Sequence, residues 1–202
     1  MKRTFAFILT FVLLFATVTI RAETDESTQE TNFEYDFKSF IWGDSMEAVK
    51  AVEGEPILDG TVNGMDANYI AYERTAVGLD MVLAYYFCDD GLFQVRYILS
   101  ETHSNESLYI DDYETFKDAL TQKYGETVLD FENWENSSKK KYYADDKGNA
   151  LCYGYLTYST YWFLDRTNIS MDMRADNYEI TMTVDYVSTE ISPGEADFSD
   201  EI

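Results

Sequence analysis

Apolar and polar positions follow two periods along this chain, and the places where the period switches divide it into elements. Phe37, Phe40, Ile41 and Trp42 precede Gly43. Asp44 with Glu47 three residues on then reads as a capping-box-like helix start, with Asp in place of the usual Ser or Thr. Met46, Val49 and Val52 share one helical face, and Gly54 and Pro56 predict the stop. Period two follows. Residues 69–72 and 79–88 read as strands, Asp89-Asp90-Gly91 as a hairpin turn, and residues 92–99 as the returning strand. In that strand Val95, Tyr97 and Leu99 alternate with Gln94 and Arg96. A second helix is predicted from a cap at Asp111 or Asp112, with Tyr113, Phe116, Leu120 and Tyr124 as its stripe and Gly125 as its stop. Beyond it, residues 128–134 read as extended, 136–141 and 145–149 as turns, and 151–158 as a strand. Ile169, Met171 and Met173 then alternate with Ser170 and Asp172. A turn at Asp176-Asn177 leads to Ile180, Met182, Val184 and Tyr186, opposed by Thr181, Thr183 and Asp185. Strands of this kind have one buried and one wet face.

Read in order, the two halves match: a capped helix stopped by Gly, a Tyr-x-x-Tyr run, then a hairpin of alternating strands. Tyr69-Ile70-Ala71-Tyr72 corresponds to Tyr155-Leu156-Thr157-Tyr158, and the second half carries an extra loop around residues 139–149. The expected fold class is α+β: two tandem helix-plus-antiparallel-sheet repeats, residues 37–104 and 105–188, packing their helices on one face of the sheet. Neither repeat alone buries much surface, so the two sheets are expected to join or pack together.

The ends of the chain add a location. Lys2 and Arg3 precede a short apolar run over residues 5–20, which predicts a secretory signal peptide over residues 1–22. The run is shorter than the about 20 residues of a bilayer span, and no later segment approaches one. Residues 23–36 read as a flexible acidic leader and 189–202 as an acidic tail. A secreted or extracytoplasmic protein with no integral membrane segment after cleavage is expected. With 15 basic and 38 acidic side chains the chain carries a formal charge of −23. That balance argues against nucleic acid as a partner, because phosphate recognition needs Lys and Arg. Export permits a disulfide between Cys88 and Cys152, and two buried thiols are the equal alternative.

The run Phe40-x-Trp42-Gly43-Asp44-Ser45-x-Glu47-x-Val49, followed by Gly54-Glu55-Pro56, resembles the opening of small exported bacterial envelope proteins. In duplicated form the layout is similar to the β-lactamase-inhibitor-protein fold. In single form it resembles the outer-membrane assembly lipoproteins of the SmpA/OmlA type, without their lipid-anchoring cysteine. The resemblance implies a fold and a binding role, and it carries over no contact residue.

Catalytic equipment is not legible. His103, the only histidine, sits in a polar loop and reads as a solvated side chain. Nucleophile elbow, Gly-rich phosphate loop and metal-ligand spacing are all missing from the sequence, so no catalytic residue, metal site or cofactor is expected. The distinctive chemistry is aromatic: 17 Tyr, 13 Phe and 3 Trp. Most of these rings are expected in the core. The rest point to a partner surface, since Tyr and Trp bury large area with few torsions and keep a polar tip. Tyr86, on the opposite side of its strand from Tyr85, is expected to share such a surface with Arg96, Asp172, Arg174 and Asp185. Tyr158 and Trp162 are added for the aromatic density around them. The leading reading is a non-enzymatic binding module for an unknown protein or peptide. A carboxylate-dependent extracellular hydrolase and an envelope assembly factor are the alternatives.

Overall fold

The structure, a computed structural model, describes residues 35–194. The expected signal peptide, nearly all of the acidic leader and the end of the acidic tail lie outside the described residues. The described chain is an α+β fold built on one eight-stranded antiparallel sheet. Its elements are α1 (Met46–Glu53), β1 (Leu58–Thr61), β2 (Asn68–Ala76), β3 (Leu79–Cys88), β4 (Gly91–Leu99), α2 (Ser107–Tyr124), β5 (Leu129–Trp134), α3 (Ser137–Tyr142), α4 (Lys147–Cys152), β6 (Leu156–Phe163), β7 (Thr167–Asp176) and β8 (Glu179–Ser188). Across the sheet the order is β1-β2-β3-β4-β8-β7-β6-β5, so the last strand of each half meets the other at the centre.

Pleat parity sorts the side chains. One row across the sheet runs Ile70, Tyr85, Val95, Tyr186, Ile169, Trp162, every residue at most 4% exposed. The next row of the same parity holds Tyr72, Leu83, Tyr97, Val184, Met171 and Thr160, all buried. Against this core face lie Tyr109, Tyr113, Phe116 and Leu120, the buried stripe of α2 at spacings of four and three. Phe116 meets Tyr97 at 5.8 Å between ring centroids, and Tyr113 meets Tyr158 at 5.4 Å. The segment before α1 adds Phe37, whose ring sits 4.8 Å from that of Tyr186, and Trp42, whose Nε1 donates to Thr167 Oγ1 at 3.0 Å. Each such ring buried on folding contributes about 2–3 kcal/mol of hydrophobic stabilisation.

Several local expectations are corrected. Ser45, not Asp44, caps α1, its Oγ accepting the Ala48 N–H at 3.2 Å. Asp44 is turned instead to the Ile41 N–H. Helix α2 begins at Ser107, ahead of Asp111 and Asp112, because Asn105 Oδ1 already accepts the Ser107 N–H and the Asn105 carbonyl that of Leu108. Val52 is exposed. Residues 137–142 and 147–152 form short helices, the first capped by Asn136 Oδ1 on the Lys139 N–H, and β6 starts only at Leu156. Both cysteines are free: Cys88 ends β3 in the first half and Cys152 ends α4 in the second.

Candidate functional site

Residues of the other parity make the opposite face of the sheet. Its central row reads Leu58, Ala71, Ala84, Arg96, Asp185, Ser170, Tyr161, Leu129 from edge to edge. Arg96 of β4 and Asp185 of β8 are direct cross-strand partners at the centre of the sheet, and antiparallel pairs bring such side chains together. Asp185 is 6% exposed, and its Oδ1 accepts from Arg96 Nε and from Gln94 Nε2, both at 2.6 Å. The guanidinium carbon also lies 5.9 Å from the Tyr86 ring centroid. Burial pushes the Arg96 pKa down, but the bond to Asp185 and the neighbouring Tyr86 outweigh it and hold the guanidinium above its ordinary value. Burial pushes the Tyr86 phenol up. This centre is an internally neutral, hydrogen-bonded pair under an aromatic ring.

Towards the β5 edge the face turns apolar. Leu129 and Phe131 of β5 are each 42% exposed and Phe163 of β6 is 51% exposed, with half-buried Tyr161 between them. The Phe131 and Tyr161 rings are 6.4 Å apart, and the Tyr161 and Phe163 rings stack at 6.3 Å with planes 23° apart. Towards the other edge, Tyr69 lies 6.1 Å from Tyr86 and Leu58 is exposed.

The predicted site residues therefore divide. Tyr86, Arg96 and Asp185 come together. Asp172 lies on the same face, one row along, its Oδ1 accepting from Ser159 Oγ at 2.7 Å. Arg174, also of this parity, is exposed nearer the β7–β8 turn. Tyr158 and Trp162 are a correction: both have core parity, at 6% and 1% exposed, and cannot meet a partner on this face. Trp162 is held there by α2, its Nε1 donating to the Gly125 carbonyl at 3.0 Å. Sequence reasoning passed over Leu129, Phe131 and Phe163. The signal was present: once Trp162 is taken as core, alternation sends Tyr161 and Phe163 outward.

Two further clusters lie elsewhere. A cavity of about 340 Å³ opens beside the β7–β8 turn, lined by Tyr153, Tyr155, Tyr178 and Cys152. Burial pushes the Cys152 thiol up, which disfavours the thiolate. In the β4–α2 connection, His103 is not the solvated residue expected. Its side chain is 16% exposed, its Nε2 is 2.6 Å from Asp112 Oδ2, and its ring meets Tyr109 edge-on at 4.7 Å. Glu101 joins them, so that one ligating atom from each of Glu101, His103 and Asp112 lies within 4.8 Å of the others.

Compared with known proteins, the chain matches no family, no curated protein and no solved structure.

Proposed function

We propose that this chain is a secreted or envelope-associated, non-enzymatic binding module that takes a protein or peptide on the opposite face of its sheet. The observation that carries the reading is the aromatic patch of Leu129, Phe131, Tyr161 and Phe163, continuous along one face with the Tyr86–Arg96–Asp185 centre. Clustered exposed rings rimmed by hydrogen-bonded polar groups mark binding surfaces, because ring burial supplies the affinity and the rim the orientation. In this reading the chain is a tandem repeat, each half a helix, a glycine stop and four strands, with the helices on the core face and the other face left to a partner. That arrangement agrees with the binding role implied by the β-lactamase-inhibitor-protein resemblance. The charge of −23 favours a partner presenting basic residues around an apolar centre. A hydrolase would need a carboxyl held protonated as a general acid. Burial pushes Glu53 and Glu132 up, but their hydrogen bonds outweigh it and lower both, the direction opposite to that requirement.

The test is a pull-down of the tagged exported chain from the secreted and envelope fractions of its source, followed by direct binding with the purified candidate. Phe131→Ser with Phe163→Ser is expected to weaken binding at least tenfold, as does loss of a central aromatic anchor worth about 1.4 kcal/mol or more. Tyr142→Ala, at a side chain 81% exposed outside the face, is the control and should change nothing. A partner held equally by all three proteins overturns the assigned face. Retention of one membrane complex would favour an assembly factor, and turnover of a polymer substrate would favour the hydrolase.

A further inference from the structure

The only histidine of the protein is placed between two carboxylates, and from that geometry we infer that Glu101, His103 and Asp112 form a binding site for one divalent transition-metal cation of the zinc type. The three donors come from two elements. Glu101 and His103 stand two residues apart in the connection after β4, and Asp112 projects from the second turn of α2. Glu101 and His103 are each held by something other than a cation. Glu101 Oε1 accepts the Asp80 N–H at 2.8 Å, and the Asp80 carbonyl accepts the Ser100 N–H at 3.0 Å, so the start of the connection is tied to β3. The His103 N–H donates to the Tyr109 hydroxyl at 3.1 Å while the Tyr109 ring packs edge-on against the imidazole. The side chains of His103 and Asp112 are largely shielded, at 16% and 14% exposed. Pre-ordered donors of this kind lower the entropic cost of binding.

The donor set selects the cation. Two carboxylate oxygens and one imidazole nitrogen suit zinc, cobalt, iron or manganese, whereas calcium and magnesium prefer an all-oxygen shell. Two carboxylates and one imidazole converge, so a single divalent cation can take one donor atom from each. Binding puts the metal where a proton now bridges His103 Nε2 and Asp112 Oδ2. The Nε2 lone pair then bonds the metal, so the bridging proton must leave it, either moving to Nδ1 or passing to solvent, and the ring that binds carries its single proton on Nδ1. Small closing movements are needed, since donors of a tetrahedral zinc sit about 2.0–2.2 Å from the ion. The remaining coordination positions are open to water or to a ligand brought by another molecule. The inference is independent of the proposed binding face.

Isothermal titration of the full exported chain with zinc chloride, in millimolar calcium to occupy adventitious surface carboxylates, is the test. One equivalent of zinc is expected to bind, with affinity at least tenfold weaker in His103→Gln and in Glu101→Gln. Zinc should also shift the imidazole ¹⁵N resonances of the wild-type chain, which come from His103 alone. That readout needs no variant and holds even if a substitution disturbs folding. Equal zinc affinity in wild type and His103→Gln, or imidazole resonances unmoved at one equivalent, would overturn the proposal. The cluster would then be a hydrogen-bonded clip between β4 and α2.

Discussion

Tyr113 on α2 and Tyr158 on β6 face each other in the core, yet their hydroxyls are differently served. The Tyr113 hydroxyl is 2.7 Å from Thr160 Oγ1 and 3.2 Å from the Met171 carbonyl. Because Thr160 donates to Asp130 Oδ1 at 2.8 Å, it is free to accept from Tyr113. The buried Tyr158 hydroxyl has no hydrogen-bond partner among the described residues. A buried polar group without a partner costs about 1–3 kcal/mol, whereas a satisfied bond contributes about 1 kcal/mol. Tyr158→Phe is therefore expected to leave stability unchanged or raise it by about 1 kcal/mol, and Tyr113→Phe to lower it by about 1 kcal/mol. Urea denaturation of both variants checks the pair, and a marked loss in Tyr158→Phe would contradict the assignment. The same two rings show why parity was hard to read from the sequence. Residues 155–163 carry aromatic rings in both phases of the alternation and Ser or Thr in both as well, so the pattern marks neither phase as the buried one. Contact with α2, which sequence spacing does not report, sets the phase and separates core Tyr158 and Trp162 from exposed Phe163.

At the scale of elements, the β3–β4 and β7–β8 hairpins and the glycine stops of the two longer helices were legible, because each rests on local chemistry. Gly125 closes α2 with φ +89° and Gly54 closes α1 with φ +91°. Gly91, read as an ordinary turn residue, has a second role that only the tertiary structure gives it. At φ +96°, a Cβ built on it would lie 2.3 Å from the carbonyl oxygen of Gly43. The backbone there is tied to the start of β4: the Gly43 N–H donates to the Leu92 carbonyl and the Leu92 N–H to the Asp44 carbonyl, each at 2.9 Å. Gly91→Ala combines a left-handed backbone with a backbone clash, and a loss of about 2–4 kcal/mol is expected. Thermal unfolding measures it, and a change below about 0.5 kcal/mol would show that the segment before α1 does not depend on this approach. The short helices α3 and α4 were read as turns because their polar, Lys- and Asp-rich stretches lack an apolar stripe. Ala150 and Leu151 are buried in the core only because α4 packs against α2 and the sheet.

For the molecule as a whole, Glu53 links the segment before α1, the helix itself and the sheet. It accepts from Lys38 at 3.0 Å, from Arg74 at 2.8 Å and from the Tyr85 hydroxyl, with 9% of its side chain exposed. Burial pushes its pKa up, but these three donors together outweigh burial and lower it from the ordinary 4.5. A carboxyl with a lowered folded pKa adds stability that is fully present above its unfolded pKa and is lost as pH falls through the folded one. Glu53→Gln is therefore expected to cost about 2 kcal/mol near neutral pH, the partly exposed Lys38 and Arg74 being screened by water. The gap to wild type should narrow as pH drops below 4.5. Denaturation of both proteins across that range measures it, and a pH-independent gap would assign the loss to packing. What the sequence determined by itself was local: the alternation that makes strands, the glycine stops and hairpin turns, the α+β class and the acidity, all written within a few residues of where they act. The tertiary structure decided which phase of the aromatic-rich strand β6 is buried, that the halves join through β4 and β8 into one sheet, and that His103 meets Glu101 and Asp112. Those outcomes depend on long-range packing between elements, which the linear pattern of apolar and polar residues does not encode one position at a time.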